Sequence, residues 1–264
     1  MADRQVLAGA QILTGPDWVP RAADMVIADD RIGAVGSAGS FEHVDADRVD
    51  LAGTLVVPGL INAHTHSHAM VARGAARDWT LEASLLNGGW MAAERSTELA
   101  ELSALLAGAE VMASGGVAAF DLVAQAPGPD VDGLHAVAAG YARVGLRARV
   151  APMVADRSVH EAVPAIGSCC PPPPPGPSTA AVLAGCERFV TEFPALAGIE
   201  AAVAPTIPSH CSPELVVGLH RLAVEHDLPL HLHLAELKPQ AISAATRFGH
   251  SITTELDRLG LVDE

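Results

Sequence analysis

His64-Thr65-His66 closes an apolar run from Leu55 to Ala63, and His231-Leu232-His233-Leu234-Ala235-Glu236 ends a second run far downstream. Side chains at i and i+2 of a strand point to one face, so His64 and His66 can reach one metal ion from the mouth of a sheet or barrel. A third histidine on a neighbouring strand completes most of a zinc site, and a nearby carboxylate can move protons. These residue types at this spacing point to metal-dependent hydrolysis. Lys238, the only lysine in the chain, sits where a helix should begin after the second histidine run. It is badly placed for a Schiff base or for a carbamate bridging two metals, which favours a single ion. Histidine-rich donors suit zinc, with iron as the alternative.

The elements that must position these groups follow from apolar patterning. Residues 4–57 read as short strands, with Asp29-Asp30 as a hairpin turn between Met25-Val26-Ile27 and Ile32-Gly33-Ala34-Val35. This spacing predicts a small β-domain. From residue 58 the rhythm becomes strand, helix, strand. Strands are expected over 55–63, 117–123, 146–154, 199–206 and 228–235, and helices over 81–114, 131–144, 179–193, 213–226 and 239–259. Repeated βα units with continuous apolar strands imply a parallel sheet covered by helices, with active groups at the strand carboxyl ends. Five such strands precede Glu264, where a closed barrel has eight, so the sequence reads as truncated after the fifth. Cys169-Cys170 and the five prolines 171–175 read as a surface spacer in the loop after the third strand.

Composition narrows the function classes. The chain has 264 residues, half of them hydrophobic, and carries 31 acidic against 16 basic groups for a formal charge of −15. A nucleic-acid surface needs the opposite bias. No charge-free apolar run approaches the roughly 20 residues of a membrane span. The amino terminus has no basic region leading into an apolar stretch, and the default address is cytoplasmic. The four cysteines show no Cys-x-x-Cys spacing and read as reduced structural thiols.

Pro58-Gly59-Leu60-Ile61-Asn62-Ala63-His64-Thr65-His66, with His233-Leu234-Ala235-Glu236, resembles the amidohydrolase superfamily. The similar branch holds cytosine, guanine and S-adenosylhomocysteine deaminases and triazine hydrolases. The resemblance extends to Leu81–Trp90, Ala204-Pro205 and Cys211-Ser212. It implies an α/β fold: a β-sandwich segment over residues 1–57, then a partial TIM barrel of about five βα units over 58–264. It implies His64, His66 and His233 as metal ligands and Glu236 as the catalytic proton shuttle. His231 would pack in the interior or support a ligand, and satisfied core histidines are the plainer alternative for all of these. His68, Arg73, Trp90 and His210 are candidates for binding substrate.

One feature departs from the family. Thr206 stands where many of these deaminases place a substrate-binding histidine, and His210, four residues on, is the candidate replacement. Asp121 is read as a cap or hydrogen-bond partner. The family's later histidine and aspartate have no counterpart in this sequence. The implied reaction is deamination of an aminated heterocycle by water activated on one divalent ion. Its partner is a small molecule, neither nucleic acid nor membrane, and homo-oligomerisation is open for the full-length form. Dechlorination or cyclic-amide opening on the same scaffold is the competing chemistry. A catalytically incomplete metal-binding chain that needs a partner is the competing class.

Overall fold

The computed structural model describes residues 4–14, 16–75, 77–87, 95–163 and 175–262. Trp90, Cys169, Cys170 and the prolines 171–174 lie outside the described residues. The chain divides into two compact units, residues 1–59 and 60–264.

The first unit is one mixed sheet. β1 (Arg4–Thr14) pairs antiparallel with β2 (Val19–Ala28), which pairs antiparallel with β3 (Arg31–Ser37). β4 (Asp47–Asp50) and β5 (Leu55–Val56) run parallel to β1. Asp29 takes a φ of 53°, the left-handed conformation that the tight turn between β2 and β3 requires. Two short apolar stretches read separately, Val6–Ala8 and Gln11–Leu13, fall in the single strand β1, whose pairing shifts register between Leu7 and Ala10. The buried Asp24 carboxylate spans that irregularity, accepting N–H bonds from Gly9 and Gly39 at 2.9 Å each. Those two donors hold its pKa below the usual carboxylate value.

The second unit is a parallel sheet covered by helices. It begins with β6 (Leu60–Thr65), a 3-10 helix over Ser67–Ala72, α1 (Leu81–Asn87) and α2 (Thr97–Ala113). There follow β7 (Gly116–Ala124), α3 (Val131–Val144), β8 (Arg147–Val154), α4 (Val159–Ala162) and α5 (Thr179–Thr191). The last described elements are β9 (Ile199–Ala201), β10 (Ala204–Pro205), a short turn over Pro208–His210, α6 (Pro213–Glu225), α7 (Lys238–Phe248) and α8 (Ile252–Arg258). The strand order is β6-β7-β8-β10, with β9 also on β8, and every pairing is parallel.

Alternation along the strands separates two faces. Ala119, Val123, Ala148 and Val150 pack outward against Leu134, Val137 and Tyr141 of α3 and Phe189 of α5. Leu122, Ala151, Ala202 and Ala204 form the opposite, inner face. Helices α2 and α3 cross so closely that a Cβ at Gly140 would lie 2.5 Å from the Glu101 carbonyl oxygen.

The helix predicted over 131–144 coincides with α3, which the Asp130 carboxylate caps through the Gly133 N–H and Gly145 ends at a φ of 81°. Several expectations change. The stretch 81–114 is not one helix: α1 ends at Asn87, and Ser96 caps α2 by accepting the Leu99 N–H. The strand expected over 199–206 is two short ones, β9 and β10. The run 55–63 splits at Pro58-Gly59 into β5 and β6, because proline cannot donate to a ladder. The stretch 239–259 is two helices: Gly249 ends α7 at a φ of 73°, and Ser251 caps α8 by accepting the Thr254 N–H. Residues 228–235 form no ladder among the described residues. They meet the sheet at one parallel bridge, Val203 to Leu230, and through the N–H groups of His231 and His233, bonded to the carbonyls of Val203 and Thr206.

Candidate metal centre

β6 delivers His64 and His66 to the inner face at its carboxyl end, and the chain hydrogen-bonded beside β10 delivers His231 and His233 opposite them. The Nε2 atoms of His64 and His66 stand 3.2 Å apart, and those of His66 and His233 stand 3.3 Å apart. Tetrahedral zinc with Zn–N bonds of about 2.0–2.1 Å separates its ligand nitrogens by about 3.3 Å, so both spacings fit a shared ion. All three ligand atoms lie within 4.8 Å of one another.

The far sides of the rings decide which nitrogens are free. His66 Nδ1 is 2.8 Å from the Leu122 carbonyl oxygen, and His233 Nδ1 is 2.6 Å from that of Thr206. A carbonyl can only accept, so each Nδ1 carries the proton and each Nε2 keeps its lone pair for a metal. His64 Nδ1 is 3.1 Å from His231 Nε2. With the His64 Nε2 lone pair facing the cluster, its Nδ1–H donates to His231. His231 therefore stands behind a ligand and packs its ring edge-on against Phe120 at 4.5 Å. Burial, and then the mutual proximity of the rings, lowers the pKa of His64, His66 and His231. Depressed values keep the imidazoles neutral, the form that binds metal.

Glu236 is exposed, and its charge acts on His64 against that lowering. Regular strand alternation from His231 and His233 would bring residue 235 to the shared face. Ala235 instead takes a φ of 49°, which breaks the alternation, and the Glu236 N–H bonds to Gln240 Oε1 at 2.9 Å. An alanine in this conformation is uncommon and marks a locally imposed backbone.

Asp121 is fully buried on the outer face of β7. It accepts the Ser67 N–H at 2.9 Å and the Tyr141 hydroxyl at 3.0 Å, and burial raises its pKa to about 6. It therefore ties the residue after His66 to β7 and α3 and does not face the imidazole cluster. Sequence patterning left this clamp open between two roles, since its partners are assigned by packing. The two carbonyl acceptors carried no sequence signal at all.

The substrate-binding candidates are not brought together. The His68 ring lies beside His66 at 5.5 Å, its Nδ1 accepts the Ala124 N–H, and burial takes its pKa down to about 3. It borders a cavity of about 520 Å³ that Arg95, Gln125, Asp130 and Arg188 also line. Arg73 is exposed and paired with Glu110, at the carboxyl end of α2. His210 is buried in the turn before α6, and burial first, then the neighbouring Arg157, lowers its pKa to about 4.

Comparison with known proteins places this geometry in context. Residues 55–264 match the model of the amidohydrolase family. A 5-methylthioadenosine/S-adenosylhomocysteine deaminase from Desulforamulus reducens is 29% identical over 275 residues, covering 98% of this chain and 55% of that protein. A 5'-deoxyadenosine deaminase from Methanothermobacter thermautotrophicus is 27% identical, covering 95% of this chain and 55% of the relative. The chain thus spans about half the length of the curated relatives it matches. An atrazine chlorohydrolase from Arthrobacter aurescens, solved with zinc, superposes with a TM-score of 0.80 at 20% identity, covering 97% of this chain and 58% of that one.

Two outcomes follow from the site. Replacing Asp121 by Ala releases the backbone after His66 and is expected to lower the affinity of the candidate centre for a divalent ion by about 10–100-fold, the usual cost of losing support behind a ligand. Competition with a chromophoric chelator measures this, and unchanged affinity would refute the clamp. His210 sets an acid dependence in the metal-free protein: its pKa falls from 6.5 to about 4 on folding, so the unfolded chain binds the extra proton. Stability therefore declines as pH drops from 6.5 toward 4, by about 1.4 kcal/mol per pH unit for this group. Denaturant unfolding between pH 7 and 5 should show a shallower decline in His210→Gln, and an equal decline would contradict the assignment.

Proposed function

We propose that this chain, which belongs to the amidohydrolase family, serves a mononuclear metal-dependent hydrolase that deaminates an aminated heterocycle of the nucleobase or nucleoside kind. The observation that carries this reading is the convergence of three imidazole Nε2 atoms, two of them freed by Nδ1–H bonds to strand-end carbonyls. His64, His66 and His233 would hold the ion. Zinc is the metal chosen, since the three-imidazole donor set suits it. When bound, the ion supplies Lewis acidity that makes a water acidic near neutral pH. Glu236 takes the water's proton and returns it to the departing nitrogen, so ammonia leaves neutral. His231 keeps His64 in the tautomer that presents Nε2. His68 borders the pocket beside the site. His210, Arg73 and Trp90 are kept as substrate-binding candidates, with Arg73 paired with Glu110 at the surface.

The relatives' names favour an adenosine-like substrate over hydrolytic dechlorination. The parallel sheet and the superposition support reading the second unit as βα units of a TIM barrel, beginning near residue 58. The first unit is read as a β-sandwich segment, to which its single described sheet contributes one layer. No helix among the described residues is long and apolar enough to cross a membrane. A cytoplasmic setting with a small-molecule partner fits this reading.

The test is ammonia release from 5'-deoxyadenosine and S-adenosylhomocysteine by the zinc-loaded protein. Glu236→Gln should keep its zinc and lose about 10²–10⁴-fold in rate. Ammonia released at the unsubstituted rate would remove Glu236 from the chemistry. Chloride from a chlorotriazine without ammonia from either purine would replace deamination with the competing reaction.

A further inference from the structure

Outside the metal cluster, the carboxyl end of the sheet carries a second group of polar side chains where α4, the turn Pro208–His210 and α7 meet. The Arg157 N–H donates to the His210 carbonyl at 3.1 Å, fixing the residue after β8 to the turn. Ser243 Oγ on α7 donates to the Ala162 carbonyl at 2.7 Å, fixing α7 to the end of α4. One turn further along α7, Arg247 Nη1 reaches the Ser209 carbonyl at 3.4 Å, and Arg157 Nη2 reaches that of Glu161 at 3.2 Å. Both guanidinium groups are thereby drawn to one junction.

Carboxylates stand within electrostatic reach, Glu161 of Arg157 and both Glu255 and Asp156 of Arg247. Among the described residues neither Arg157 nor Arg247 makes an ion pair, and the nearby carboxylates are engaged elsewhere. Asp156 accepts the Ser212 N–H at 2.7 Å and the Thr179 hydroxyl. Glu161 turns back onto Ser158 at 2.8 Å, and Glu255 is paired with His250 at 2.7 Å. Among the described residues, Arg157 Nη1 and both ring nitrogens of His160 are buried without a hydrogen-bond partner. Buried donors left unpaired are costly, and such groups call for a partner. Burial and then Arg157 lower the Arg247 pKa, while Glu255 and Asp156 act against that lowering.

We propose that Arg157 and Arg247, with His210 beside them, form a binding site for an oxyanion, a phosphate or a carboxylate. The guanidinium fork matches two oxygens of either group, and an imidazole can donate one N–H. The site stands on the fold alone and does not depend on the deaminase reading. Two sources share this chemistry: a free anion, or an anionic group on the small-molecule ligand of the neighbouring metal centre.

Calorimetric titration of the metal-free protein with inorganic phosphate, at ionic strength held constant with chloride, tests it. One saturable site is expected, weakened about tenfold or more in Arg157→Gln and in Arg247→Gln. Arg143→Gln, which removes a surface arginine paired with Glu101, should bind as the unsubstituted protein does. Thermal unfolding followed by circular dichroism identifies any variant that fails to fold, and Arg157→Lys, which keeps the charge without the fork, then serves in its place. Absence of saturable binding, or binding that folded variants leave unchanged, overturns the proposal. Once phosphate binds, adenosine 5'-monophosphate against adenosine identifies the source. A tighter monophosphate whose advantage disappears in Arg157→Gln assigns the oxyanion to the ligand, and equal binding of the two leaves a separate anion site; both sustain the proposal.

Discussion

Two hydrogen bonds from imidazole Nδ1 to backbone carbonyls, His66 to Leu122 and His233 to Thr206, set the geometry of the candidate metal centre. Each acceptor belongs to or follows a parallel strand, so the sheet sets both ring orientation and tautomer. The Nε2 lone pairs then have one direction left, toward each other. Unshared nitrogens about 3.3 Å apart are poor neighbours without a cation between them and good ones with it. The arrangement holds a cost that an ion relieves.

The remaining features serve that constraint. The inner sheet face near the cluster is built from small residues, Ala151, Ala202 and Ala204, with Leu122, which leaves room for rings at the strand ends. On the outer face Asp121, clamped by Tyr141, holds the backbone that follows His66. The left-handed Ala235 then changes the parity of the chain after His233, so that a carboxylate one residue past the strand's rhythm acts on His64. In a protein of net charge −15, basic groups are scarce. The pairing of Arg73 with Glu110 shows how readily a surface arginine is used up. Against that background, Arg157 and Arg247 meeting at one junction without an ion pair among the described residues stand out.

Much of this was legible in local patterns. The two-residue spacing of His64 and His66 gave their common face, and Asp130 with Gly145 bounded α3 to the residue. Gly249 and Ser251, a helix end and a cap, carry the break inside 239–259 that the single expected helix ran across. Residues 228–235 look like a strand because they are apolar and alternate, yet pairing depends on neighbours, and a single bridge is what forms among the described residues. The fate of Arg73 and the partners of Asp121 lay beyond any local pattern, since their contacts are made by residues 20 to 54 positions away. His210 was singled out as a replacement for the histidine whose place Thr206 takes, whereas burial and the nearby Arg157 define its environment.

X-ray absorption at the zinc edge of the loaded protein tests the central claim most directly. Three imidazole nitrogens at about 2.0–2.1 Å around one zinc per chain, falling to two in His233→Ala, is the result this account predicts. A shell containing sulfur, or one unaffected by loss of His233, would contradict it.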